Sequence, residues 1–153
     1  MKKSTLFGKV LFVWVILFSH AGFAQTSSSG QATALQNGPN GKAIMAYYTA
    51  FEKKDWNLIQ QFLADGFTFS SPLDDHISVK VFKERCWPNA YKIKRFEVDK
   101  MIVKGDEAFV ITNGWTTEGK LFRNSDYFKF KDGKIRAYEC FFGPGINYPN
   151  SGK

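Results

Sequence analysis

The chain has 153 residues, a formal net charge of +7 and 17% aromatic residues, enough for one domain with an ordinary core. Its cationic residues are spread along alternating segments such as Tyr91–Asp99, where Glu97 and Asp99 partly offset them, so a nucleic-acid partner is not expected. There is no Cys-x-x-Cys, phosphate loop or nucleophile elbow, which sets aside metal, nucleotide and hydrolase chemistry and predicts no cofactor.

Lys2 and Lys3 precede an apolar run from Val10 to Phe18, and Gly22-Phe23-Ala24 offers small residues for cleavage. The pattern predicts a signal peptide over 1–24 and an exported protein, periplasmic or secreted. The apolar run is shorter than the roughly 20 residues of a spanning helix, so no stable membrane anchor is expected after cleavage. Losing Lys2, Lys3 and Lys9 with that segment takes the charge from +7 to +4. Residues 25–41 are Ser, Thr, Gln, Asn and Gly with almost no large apolar side chain, and read as a flexible leader.

A first helix is expected from about Lys42 to Lys54, because Ile44, Tyr47, Tyr48 and Phe51 recur at helical spacing and form one stripe. Asp55 is a good cap for a second helix, Trp56 to Leu63, which Asp65-Gly66 ends. Phe67, Phe69 and Ser71 then share one face of an alternating strand that runs into Pro72. The turn Leu73-Asp-Asp-His-Ile77 leads to Ser78, a plausible cap for a helix from Val79 to about Cys86, stopped by Pro88. Four period-two segments follow, Ile93–Val103, Ala108–Thr117, Leu121–Lys131 and Lys134–Phe142, punctuated by Gly105-Asp106, Glu118-Gly119 and Asp132-Gly133. The order is α+β, helices first and sheet later, with residues 144–153 as a tail.

The last hairpin admits two registers. A two-residue Asp132-Gly133 turn places Glu139 on the face of Asp126, whereas a three-residue loop over Lys131–Gly133 places Tyr138, Cys140 and Phe142 there. We choose the second, which gathers the aromatic side chains on one concave face. Cys86 and Cys140 are the chain's two cysteines, and two buried free thiols are favoured over a bridge.

Tyr47-Tyr-Thr-Ala-Phe-Glu-Lys-Lys-Asp55, Ile59, Ala64-Asp65, Phe69 and Ser71-Pro72 resemble the opening of SnoaL-like and ketosteroid-isomerase-like domains. Asp126-Tyr-Phe-Lys-Phe130, Asp132-Gly-Lys-Ile135 and Phe142-Gly143 resemble their closing hairpin. The resemblance spans residues 42–143. It implies the cone-shaped nuclear transport factor 2-like (cystatin-like) fold, with N-terminal helices on a strongly curved, mostly antiparallel sheet, and a homodimer through the outer sheet face. It also puts Tyr47 at the oxyanion tyrosine and Asp126 at the second donor, while Ser71 stands where the general base belongs. A serine hydroxyl is too weakly basic for that role, which leaves Asp74 or His76 as the base if there is chemistry. Phe67, Phe69, Ser71, Phe82, Phe128, Phe130, Tyr138, Cys140 and Phe142 are expected to line a pocket for a small hydrophobic molecule. Binding without chemistry, an isomerase or lyase acting beside a carbonyl, and a protein-interaction module remain the three readings.

Overall fold

The computed structural model describes residues 37–142. The expected signal peptide, most of the leader and the tail lie outside them. Helix α1 spans Pro39–Lys53, starting three residues before the expected Lys42. Pro39 occupies the first turn, where its missing N–H has no helical partner to lose, and Lys42 N donates to Gly38 O at 3.0 Å. The residues that composition marks as the end of a leader are thus the helix start. Lys54, in the left-handed conformation, closes the helix by donating to Ala50 and Phe51.

Helix α2, Trp56–Gln61, is capped by Asp55, whose carboxylate accepts from Leu58 N at 3.0 Å. It stops short of Leu63, where strand β1, Leu63–Ser71, already begins. Gly66 at φ 70° makes an irregularity within β1 instead of the helix end expected for it. The predicted turn after Pro72 is a strand, β2 (Asp74–Ser78), paired antiparallel to β1. Helix α3, Val79–Arg85, begins at Ser78, which accepts from Val81 N, and passes into a 3-10 turn over Trp87–Lys92.

Strands β3 (Ile93–Lys104), β4 (Glu107–Thr116), β5 (Leu121–Lys131) and β6 (Lys134–Phe141) complete a six-stranded sheet of order β2-β1-β6-β5-β4-β3. Only the β1–β6 pair is parallel. The α+β class and the curved, unclosed sheet are those expected.

The final hairpin corrects the predicted turn while keeping the predicted face. Lys131 pairs with Lys134 across a two-residue turn, with Asp132 and Gly133 at φ 52° and 73°. The extra residue is Arg136, in a bulge opposite Lys129 and Phe130. One inserted residue shifts the face wherever it sits, so Asp126 lies opposite Cys140 and Phe128 opposite Tyr138.

The core is aromatic and lies between α1, α3 and the inner face of the sheet. Phe67, Phe82 and Phe128 are among the largest fully buried side chains. Phe128 stacks on Tyr138 with ring centroids 4.7 Å apart, and Tyr47 meets Tyr138 edge-on at 4.9 Å. Such pairs add about 0.5–1.5 kcal/mol beyond area burial. Trp87 packs against Phe51 and Trp56, fixing the end of α3.

Candidate functional site

A cavity of about 170 Å³ opens between α1, α3 and the inner sheet face. Tyr47 and Phe51 of α1, Phe82 of α3 and Phe96 of β3 supply much of its apolar wall. Its polar lining is Tyr47, Tyr138, Cys86, Cys140, Asn89 and Asn124. Of the expected pocket residues, Phe69, Phe82, Tyr138, Cys140 and Phe142 line it. Phe67, Phe128 and Phe130 do not, being spent on the filled core behind the wall. Ser71 also lies off the cavity, donating to Asp74 Oδ2 at 3.0 Å and accepting from Leu73 N.

Asp126 corrects the picture of two donors side by side in the pocket. Its side chain is fully buried behind the wall and reaches no open space. Tyr48, not Tyr47, makes the short bond to it, O–H to Oδ2 at 2.6 Å. Thr112 donates to the same oxygen at 3.2 Å, and Tyr138 donates to Oδ1 at 3.1 Å. The Cys140 sulfur, opposite Asp126 across the β5–β6 pair, accepts from Asn124 Nδ2 at 3.4 Å. Burial is the largest influence on Asp126 and raises its pKa, while the bonds from Tyr48, Cys140, Tyr138 and Thr112 pull it down. Burial also holds the Tyr47, Tyr48 and Tyr138 hydroxyls well above their ordinary range, so all three stay protonated.

Sequence reasoning missed Tyr48 and Thr112. Tyr48 belongs to the buried stripe of α1, but a stripe does not say which of two adjacent tyrosines points at the sheet. Thr112 had a usable signal, because it falls on the inward face with Ala108 and Val110, where a polar side chain must find a buried partner.

His76 stands outside the cavity. Its side chain is 73% exposed and pairs with Asp75, itself 92% exposed. Asp74 does not face the cavity either, but its side chain is only 9% exposed and lies behind Cys86. The Cys86 thiol donates to Asp74 Oδ2 at 3.8 Å, and Arg85 Nη2 lies 2.8 Å from Oδ1 as an ion pair without hydrogen-bond alignment. Burial, then the Asp74 charge, pushes the Cys86 thiol up to about 11. Cys86 should therefore resist iodoacetamide at pH 7.5 and react only as pH approaches that value, monitored by intact mass. Rapid alkylation at neutral pH would contradict the Asp74 contact. Both cysteines are free.

Gly114 makes room for one ring of the cavity wall. A Cβ there would collide with the ring of Phe122, which lines the cavity and meets Phe96 edge-on at 5.9 Å. Gly114→Ala should displace that ring and weaken any cavity ligand at least tenfold, at a stability cost of about 1–3 kcal/mol. Titration of wild type and variant side by side checks it.

Residues 44–138 match the family model of the SnoaL-like domain. The chain belongs to the SnoaL-like family. No curated protein sequence matches it. Among solved structures, it resembles a nuclear transport factor 2-like protein of unknown function from Cytophaga hutchinsonii, at 21% identity and TM-score 0.56, covering 69% of this chain and 90% of that one. A candidate ketosteroid isomerase from Kribbella flavida is 14% identical with TM-score 0.60, covering 71% and 81%. An LEH-like epoxide hydrolase from M. tuberculosis is 14% identical with TM-score 0.56, covering 69% and 83%. At these identities the likeness establishes the fold alone. Among the described residues of this SnoaL-like chain, no helix is long and apolar enough to cross a membrane, and no group of three or more His, Cys, Asp or Glu is placed to hold a metal ion.

Proposed function

We propose that this SnoaL-like protein binds a small, largely hydrophobic molecule in the cavity and performs no chemistry on it. The observation that carries the reading is an aromatic cavity whose potential base, His76, lies in solvent, while Asp126 and Asp74 sit behind its wall. A carbonyl-directed isomerase or lyase needs a donor pair and a base converging on one open volume. Tyr47 alone among the expected catalytic residues lines that volume.

Ligand-observed NMR with a library of one- and two-ring compounds tests the reading, with Gly114→Ala as the reshaped control. Compounds that bind wild type and lose affinity in the variant support it. No binding, or equal binding by both proteins, removes the cavity as the site.

In the same reading the protein is exported, to the periplasm or beyond, through residues 1–24. The mass of the protein recovered from its own host tests this, expected to begin at Gln25. A second copy covers the outer face of the sheet, where Ile102, Phe109 and Phe141 are 64%, 55% and 55% exposed. Ile102 pairs with Phe109 and Phe109 with Tyr127 in one row across three strands, flanked by Glu107 and Lys129, charges of opposite sign that a two-fold can pair. Light scattering of Phe109→Glu should report a monomer where wild type is a dimer.

A further inference from the structure

The cavity wall is graded in burial and in polarity together. Its aromatic part, with Tyr47, Phe69, Phe82 and Tyr138, consists of buried residues, whereas Asn124 is half-buried and Asn89 exposed. Solvent therefore reaches the cavity beside the side-chain amides. An occupant lays its apolar body on the rings and leaves its polar end with the amides.

Asn124 is placed to take that end. It shares the inward face of β5 with Phe122 and Asp126, and its Nδ2 donates to the Cys140 sulfur at 3.4 Å. Sulfur is a weak acceptor, so the contact orients the amide and leaves it a second N–H. Oδ1 has no partner among the described residues and is not closed off from solvent. Asn89 adds donors, because its Oδ1 already accepts from Lys92 Nζ at 3.3 Å. The two amides thus present an acceptor together with donors. Elsewhere in the wall, Tyr138 gives its proton to Asp126, and Tyr47 is one hydroxyl among rings.

None of the lining residues carries a charge, and burial keeps the tyrosines and cysteines among them protonated. A carboxylate would bring only lone pairs to Asn124 Oδ1, and an ammonium only N–H groups to the Asn89 amide nitrogen. Neither meets an opposite charge in the wall. Lys92, beyond Asn89, is exposed, so solvent screens it.

From these observations we propose that the occupant is an uncharged amphipathic molecule whose apolar body lies on the rings and whose carboxamide or hydroxyl end, donor and acceptor at once, is held by Asn124. The proposal rests on the binding reading above and narrows it. Asn124 becomes the residue that sets specificity at the polar end.

Isothermal titration at neutral pH with hydrocinnamamide, hydrocinnamyl alcohol, hydrocinnamate, phenylpropylammonium and propylbenzene, which share one body, separates the possibilities. The amide and the alcohol should each bind about tenfold tighter than the other three, the worth of one well-made hydrogen bond. Hydrocinnamate or phenylpropylammonium binding as tightly as the neutral pair overturns the uncharged class. Propylbenzene binding as tightly overturns the hold on the polar end. Either result leaves the binding reading standing. Absence of binding by all five overturns both.

Variants locate the polar end. In proteins whose circular dichroism and melt report a folded state, the preference for hydrocinnamamide over propylbenzene should be lost in Asn124→Leu and stand in Tyr47→Phe. Asn124→Asp, which keeps the side chain's shape, should shift the preference toward phenylpropylammonium. A preference lost in Tyr47→Phe and kept in both Asn124 variants would put the polar end among the rings and overturn the proposal. So would a preference that none of the three variants changes.

Discussion

Asp126→Ala is expected to lower the unfolding free energy by roughly 3 kcal/mol or more, whereas Asp126→Asn should cost about 1 kcal/mol. The alanine variant strands Tyr48, Tyr138 and Thr112, three hydroxyls that now donate to one carboxyl in a site closed to solvent. Each buried polar group left without a partner costs about 1–3 kcal/mol, less where water can enter the vacated space. Asparagine keeps one acceptor for two of the hydroxyls and offers its own N–H to the third. Urea unfolding of wild type, Asp126→Ala and Asp126→Asn orders the three.

The same pair fixes a pH dependence and its sign. Burial raises the Asp126 pKa in the folded state, so the native protein holds this proton more tightly than the unfolded chain does. That contribution to stability is fully present below the unfolded value near 4 and is lost as pH rises through the raised folded value. Asparagine does not titrate. The stability of wild type minus that of Asp126→Asn should therefore fall as pH rises from 3 to neutrality. A difference that is flat, or that grows with pH, would mean that the hydrogen bonds outweigh desolvation.

The sequence's period-two segments and caps located most elements because each has a local physical cause. Asp55 and Ser78 cap their helices as expected. The failures share another origin. Strand β2 is an edge strand whose Asp74, Asp75 and His76 are polar, and only its pairing with β1 makes it a strand. Gly38-Pro39-Asn40-Gly41 looks like loop because helix propensity is poor there, yet Gly41 and Ala43 are buried and tertiary packing decides. In the closing hairpin, the alternation of Phe128, Phe130, Tyr138 and Cys140 required one extra residue, but nothing local distinguishes a longer turn from a bulge at Arg136.

The site was legible as a set of residues and not as an arrangement. Tyr47, Asp126, Tyr138 and Cys140 do gather near one another, as the shared face required. Which of them face open space depends on depth below the sheet, and a 3.6 or 2.0 period carries direction without depth. That is why Asp126 lies behind the wall and Tyr48 takes the role that adjacency alone could have given to Tyr47.

Phe82→Ala should be the most damaging single truncation in the cavity wall, at about 3–5 kcal/mol. Phe82 is 1% exposed and is the buried residue of α3, a helix of seven residues. Its ring lies 4.9 Å from Phe69, 5.6 Å from Phe67, and 6.4 Å from both Phe51 and Trp56, so it joins α3 to α1, α2 and β1 at once. A helix this short has no stability of its own and stays formed through that anchor. Truncation should accordingly raise amide exchange across Val79–Arg85 well before the sheet responds, while Phe82→Leu should keep most of the protection. Phe82 lines the cavity, so in variant protein that remains folded two-ring compounds should gain affinity relative to one-ring compounds. Uniform exchange across helix and sheet in Phe82→Ala would mean that α3 unfolds only with the whole domain, and that its docking is not the weak point of the wall.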